Sequence, residues 1–526
     1  MLAAPPRVRR PERGGARALA LAGAVSVALL AAPVVYLVVR AVGADPAAAL
    51  PLVLRPRTGE LLVTSLALAL AVALAVGALG TLQAALLARL RLPGARTLLT
   101  LAALPLAMPS YVAAFGWLGV VPSMQGFWGA WLQLTIVSTP YVTLPVYAAL
   151  RSTPAGLEIA ARSLGRTQLS AMLQVTWPIV RPAATAGALL AGLYALADFG
   201  VVSLMRVETL STGIARAMGA GFDRSYAALL GLVLVVAAVA LVLLEQRVRR
   251  AAVPARLRSA APLRLEAGGW APLAMAAVVV TPVLAIGVPV GVLLARAASA
   301  DAVAALDWPE LLGAAGTSVA LASAAGLLAI ALAAPVALLA ARHPSPLSRA
   351  LEGAATIAHS LPGIVVGLSL VFLSLSLVPW AYQSVGVLIA AYALLATPRA
   401  VGGVRAALER VPARYELLAR ALGRPRLRAL AATTAPLAAP GIAVAALLAA
   451  VAALKELPAT LLLRPTGVDT LATALWARTD ISEYAAAAPY ALALVACAAV
   501  PAMLVLAATG ERDPAHAGEI TERSAP

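Results

Sequence analysis

Two stretches of this chain place acids, arginines, glycines and prolines at matching intervals. From Glu158 to Pro182 the sequence reads EIAARSLGRTQLSAMLQVTWPIVRP. Eight residues that an Ala/Leu-rich composition does not explain recur 258 positions later. Pro154, Glu158, Arg162, Gly165, Arg166, Thr176, Pro178 and Pro182 match Pro412, Glu416, Arg420, Gly423, Arg424, Thr434, Pro436 and Pro440. In each copy the acid stands four residues before an arginine, the favourable order for an ion pair on one helix. Thr153 is suited to cap such a helix, with Pro154 at its first position, whereas Val411 is a poor cap. Gly165 and Gly423 read as helix stops, and Ala160 and Ala161 leave one face without bulk. A second short helix is expected to run toward Pro178 and Pro182, which break it. A solvated connecting loop would not need the same glycine, acid, arginine and prolines twice. A docking element would.

A second set of charges matches at the same offset. LADFG (196–200) aligns with LKELP (454–458), so Asp198 pairs with Glu456, beside Lys455. Charges within or at the outer end of an apolar run face a cavity or a partner. Two readings stay open: the lining or gate of a pathway, or a salt bridge such as Lys455 with Asp198 at an outer interface. No other chemistry emerges. His343, His359 and His516 are scattered, and no ligand spacing joins them to Cys497, the one cysteine. Neither a soft-metal site nor a catalytic constellation is expected.

The elements that position these residues are membrane helices. Only 12% of the 526 residues are charged, against roughly 25% in soluble domains, and mean hydropathy is +0.92. A run of about 20 apolar residues spans a bilayer, and unpaired backbone is intolerable there, so the fold class is all-α. Twelve candidate spans lie at 18–39, 61–88, 97–120, 128–150, 184–205, 226–245, 270–296, 312–341, 352–378, 380–398, 438–462 and 485–508. The first is too long for the apolar part of a cleavable signal. With the amino terminus inside, the cytoplasmic segments hold 30 of the 40 Lys and Arg, the asymmetry of a multi-pass protein with both termini cytoplasmic. The net charge of +17 is thus explained by topology, and no polar domain is present to bind nucleic acid.

The chain is also two tandem six-helix repeats in the same orientation. VTSLALALAVALA (63–75) resembles GTSVALASAAGLL (316–328), aligning Thr64 with Thr317. AMPSYV (107–112) and SLPGIV (360–365) keep that offset through Pro109 and Pro362. The expected organisation is 1–56, a basic arm, first span and outer loop; 57–247, the first repeat; 248–310, a basic cytoplasmic linker and seventh span; 311–508, the second repeat; and 509–526, a cytoplasmic tail.

From about 57 to 508 the chain resembles the type I ABC importer permeases, in the form with two fused halves. Each repeated loop resembles their EAA…G motif: Ala160, Ala161, Gly165, Val175 and Pro178 fall in register, as do Ala419, Gly423 and Pro436. Ile159 takes the motif's acid position, with Glu158 just before it. Leu417 and Leu418 replace the second motif's Glu and first Ala, and Trp177 and Ala435 replace its Leu. The resemblance implies that these loops couple the membrane domain to ATPase subunits, two copies for two loops. A P-loop requires a Gly-Lys pair. Leu454 precedes the only lysine, Lys455, so ATP is expected to be used on partner chains, with no cofactor held here and no enzyme activity of its own.

The segment 456–489 resembles fused permeases for ferric iron, with thiamine permeases as the nearest alternative. Iron(III) prefers oxygen ligands, and Asp198 and Glu456 offer them only transiently. Capture is expected of an extracytoplasmic binding protein docking near 206–225 and 463–484. There Arg206, Glu208, Arg464 and Asp469 either pair across the interface or are solvated loop charges. An ion-coupled secondary transporter and a membrane-embedded enzyme are the rivals from other classes.

Overall fold

In the computed structural model the described residues are 13–42, 51, 54–219, 224–250 and 265–510. The start of the basic arm (1–12), most of the linker (251–264) and the tail with His516 (511–526) lie outside them. The described chain is helical. Its one strand pairing joins Leu90–Arg91 to Leu265–Glu266.

Nine described helices are long and apolar enough to cross a membrane, and they match nine of the twelve expected spans. The other three expected spans are interrupted, each at a proline. The third consists of Ala95–Ala107 and Ser110–Leu118, bent by 90°. Pro109 forces the bend: it has no N–H to continue the ladder, and Met108 before it is driven to an extended conformation (ψ 125°). Phe127–Ser138 gives way to Pro140–Ser152, and Pro346–Ile357 is followed, beyond Pro362, by Gly363–Leu377. The run expected at 380–398 is a longer helix, Val385–Glu409.

The fifth span of each repeat corrects the sequence reading. Pro178 and Pro182 do not break a helix, since Gln168–Ala197 is continuous. Its backbone changes to π geometry over Met172–Thr176, just ahead of Pro178. A π turn carries one residue more than an α turn, which relieves the clash between a proline ring and the carbonyl four residues back. The second copy repeats the device at Leu430–Thr434, ahead of Pro436, within Arg426–Leu454. Both spans therefore start earlier than expected. They end at Ala197 and Leu454, so Asp198, Lys455 and Glu456 follow the helices instead of lying inside them.

The packed chain forms two compact units. The larger comprises Val34–Leu321, Ser360–Leu388 and Leu454–Pro526 and contains the first repeat whole. Its core is built on Pro56–Arg89 against Pro140–Ser152 and Trp177–Ala197, around Leu68, Val72, Val142, Ala191 and Met205. Lipid gives helices no hydrophobic reason to associate, so contact relies on small residues and polar bonds. Gly187 shows the first: a Cβ there would lie 2.4 Å from the Tyr141 carbonyl oxygen. Gln83 shows the second, donating to Thr281 Oγ1 (2.6 Å) and the Ala277 carbonyl (3.1 Å) while accepting from Thr143 (3.3 Å). The smaller unit comprises Met1–Pro33, Ala322–His359 and Ile389–Ala453. Its core is alanine-rich, with Ala329, Ala333, Ala337, Ala393, Ala396, Ala445 and Ala449 buried beside Leu30 and Val336.

The repeat is visible in hydrogen bonds. Leu210 N–H, at the start of Leu210–Gly219, donates to Ser65 Oγ at 2.8 Å, and Leu471 N–H, at the start of Leu471–Asp480, donates to Ser318 Oγ at 2.8 Å. Ser65 and Ser318 follow the aligned Thr64 and Thr317.

Candidate functional site

Each repeated loop is a short helix closed by a glycine. In the first repeat the helix is Ala155–Ser163. Its N-cap is Pro154, and Thr153 instead bonds back to the Ala149 carbonyl, so the expected threonine cap is off by one. Gly165 has φ +85°, its N–H donates to the Arg162 carbonyl (3.0 Å), and Arg166 N–H donates to the Ala161 carbonyl (3.2 Å). This is a Schellman stop, which requires a left-handed residue. The second helix, Arg414–Ala421, closes identically: Gly423 has φ +84°, with bonds to the Arg420 and Ala419 carbonyls (3.0 and 3.1 Å).

The acids do not pair with the arginines four residues on. Glu158 is buried, while Arg162 is exposed. Arg89, the last residue of Pro56–Arg89, grips the Glu158 carboxylate with both terminal nitrogens at 2.7 and 2.8 Å. Thr176, in the π turn, donates to the same carboxylate and accepts from Arg89 (3.2 Å). In the second copy Arg342, the last residue of Trp308–Arg342, donates from Nε to Glu416 (2.9 Å), and Thr434 Oγ1 donates at 2.5 Å. Arg342 also reaches the Val411 carbonyl (3.0 Å). A buried carboxylate requires a partner, and here the partner is 69 or 74 residues away. Each short helix is thus tied to two membrane helices of its own repeat. Arg89 and Arg342 were missed in the sequence, yet a signal exists: they are 253 residues apart, the offset of Pro109 and Pro362.

The other face of each helix is open. Ala161 and Ala419 are buried on the side of the acids, while Ala160, Arg162, Arg420, Pro178 and Pro436 are exposed. Leu164 and Leu422, just before the turning glycines, are 84% and 85% exposed. Ile159, Leu417 and Leu418 are exposed as well. Beside the second copy, burial and then the neighbouring Arg426 guanidinium hold the His343 imidazole below its usual pKa.

The charges after the fifth spans occupy equivalent places. Asp198 is buried, accepting from Ser110 Oγ (2.7 Å) and Val201 N–H (2.8 Å). Glu456 accepts from Ala459 N–H, also three residues on (3.2 Å). Lys455 Nζ donates to the Leu106 carbonyl (2.7 Å). Among the loop charges, Glu208 binds Arg57 and Arg216, and Arg464 binds Asp469. Those bonds hold the Glu208 carboxyl below its usual range, and Arg206 is exposed in a left-handed conformation (φ 55°).

Residues 333–510 match the model of the family described as binding-protein-dependent transport system inner membrane component. The chain is 31% identical over 481 residues to the Fe(3+)-transport system permease protein FbpB 2 of Haemophilus influenzae, covering 90% of this chain and 95% of that relative. It is 27% identical to the thiamine transport system permease protein ThiP of Salmonella typhimurium over 64% of this chain and 67% of that one. To the sulfate transport system permease protein CysT of Escherichia coli it is 32% identical, over 24% of this chain and 51% of the relative.

Proposed function

We propose, from the premise that the chain belongs to the binding-protein-dependent transport system inner membrane components, that its two glycine-closed helices each receive one ATPase subunit. The observation that carries this is the repeated arrangement itself: an apolar knob, Leu164 or Leu422, stands in the open on a helix clamped from behind by an acid, an arginine and a buried threonine. Exposed apolar residues on a rigid support are where binding energy concentrates. The clamp passes a push on the short helix to two membrane helices at once. ATP binding then draws the two helices together and opens the pathway outward, and hydrolysis resets it. Coupling requires that the ATPases contact the two states differently.

The arginine asymmetry supports placing both termini and both knobs on the cytoplasmic side. The cargo is ferric iron handed over by an extracytoplasmic binding protein. Similarity over nearly the full length of an iron permease supports this, and thiamine is the alternative that the weaker, shorter match supports. An apolar cavity of about 440 Å³ lies between Leu106, Tyr141, Pro182, Leu190 and Arg249; with the arginine-rich loops inside, we take it as the inward vestibule.

The test is reconstitution. The chain is co-expressed with the ATPase and the binding protein and placed in liposomes with radioactive iron outside. Uptake that needs ATP and the binding protein, by a complex holding two ATPase copies, is expected. Uptake driven by an ion gradient without ATP would replace this reading with a secondary transporter. A binding protein holding thiamine would replace iron alone.

A further inference from the structure

The break in the third span of the first repeat leaves a defined backbone problem. The 3-10 turn Leu104–Ala107 ends against Pro109. In such a turn each carbonyl accepts from the residue three positions on. For Leu106 that residue is Pro109, which has no N–H. The chain turns by 90° at this point, so the next helix, Ser110–Leu118, leads away from that carbonyl. An ammonium supplies the donor: Lys455 Nζ bonds the Leu106 oxygen at 2.7 Å.

The start of the second segment is held from the other side. Ser110, its first residue, donates to Asp198 at 2.7 Å. Gly200, two residues past Asp198, lies so close to that segment that a Cβ there would come 2.6 Å from Tyr111 Cβ. One broken span is therefore gripped twice: by an acid of its own repeat and by a cation of the other repeat. The acid has a counterpart in the second repeat, where Glu456 lies so close to Gly363 that a Cβ on the glycine would fall 2.0 Å from Oε1. The cation has none, because the position equivalent to Lys455 in the first repeat is Ala197. The two-fold pattern is broken at the chain's only lysine.

We propose that Lys455 is a latch between the repeats: it holds the broken third span of the first repeat in the conformation described, and it lets go of Leu106 when transport moves the repeats. The inference rests on the permease reading above. Charge-assisted bonds are strong and directional, so the Lys455 bond to Leu106 at the bend favours one state. Fusing the repeats in one polypeptide lets one of them carry a residue the other lacks, so a single latch suffices.

A chain with one lysine offers a direct test. The full complex in nanodiscs is treated with an amine-reactive acylating reagent, without nucleotide and with a non-hydrolysable ATP analogue, and modification of Lys455 is read by peptide mass spectrometry apart from the terminal amine. A change in Lys455 reactivity of about tenfold between the two states is expected, equivalent to about 1.4 kcal/mol in the bonded population. Equal reactivity in both states overturns the latch. A second arm uses Lys455→Met and Lys455→Arg. Methionine is expected to raise ATP hydrolysis in the absence of binding protein and to lower its stimulation by binding protein, with arginine restoring both. A uniform loss of activity in both variants at unchanged expression overturns the latch as well. If wild-type complex neither hydrolyses ATP nor transports, the permease reading itself fails, and the two failures are told apart.

Discussion

Replacing Glu158 by Gln removes one charge and keeps the shape. The structure sets the size of the effect. The Arg89 and Glu158 side chains are 13% and 8% exposed, and the guanidinium meets the carboxylate through two bonds. Breaking a buried pair on one side leaves an uncompensated charge and costs about 3–5 kcal/mol. The amide still accepts one bond, so Glu158→Gln is expected to cost about 3 kcal/mol. Glu416 is more exposed than Glu158, at 17% against 8%, and it takes a single arginine bond, while Arg342 keeps the Val411 carbonyl. Glu416→Gln is therefore expected to cost only about 1–2 kcal/mol. The assay is a double-mutant cycle on the apparent unfolding free energy in mixed micelles. Glu158→Gln with Arg89→Gln should show a coupling of about 2 kcal/mol, and Glu158→Gln with Arg162→Gln should be additive within about 0.5 kcal/mol. Strong coupling to Arg162 and none to Arg89 would refute the clamp.

Three further outcomes follow from the geometry. A Cβ on Gly165 or Gly423 meets no neighbouring atom within 4 Å, so the cost of Gly165→Val or Gly423→Val, at least about 1–2 kcal/mol each, starts from the left-handed backbone. Asparagine, which tolerates that conformation, should restore ATPase binding where valine does not, as measured by co-purification. Leu164→Asp with Leu422→Asp should leave unfolding within about 0.5 kcal/mol of wild type, yet weaken ATPase binding by at least tenfold, read by titration of the purified subunit. Gly363→Ala should impair uptake, because the methyl would displace Glu456, whereas Ser110→Ala at the equivalent position loses one hydrogen bond to Asp198, about 1.5–3 kcal/mol.

The helical class, the multiple spans and the internal repeat were legible because each rests on short-range pattern. Apolar runs, a turning glycine and a proline at fixed spacing need no knowledge of distant residues. The stops at Gly165 and Gly423 formed as read, since a Schellman turn is a local structure. The ion pairs were not legible. An acid four residues before an arginine satisfies a local rule, but Glu158 faces inward, where Arg89 waits at the end of a helix that closes some 69 residues earlier. The prolines misled for a related reason. Pro178 breaks an α-helix by local sterics, yet a π turn just before it absorbs the ring. Nothing in the period of the sequence announces an extra residue in a turn. Asp198 and Glu456 were found as an aligned pair, but their hydrogen bonds to the N–H three residues on depend on where the helix stops.

The π turns at Met172–Thr176 and Leu430–Thr434 also fix rotational phase. Each holds one residue more than an α-helix would, and one residue is about 100° around the axis. Deleting a single residue from either turn would force α geometry on the segment and bring back the clash of the Pro178 or Pro436 ring. It would also rotate everything on the loop side by that angle relative to the rest of the span, swinging the short helix away from its arginine and turning Leu164 or Leu422 to a new heading. The irregular turn thus acts as an index mark: it sets the direction in which each knob points, and a span one residue shorter would aim it wrongly.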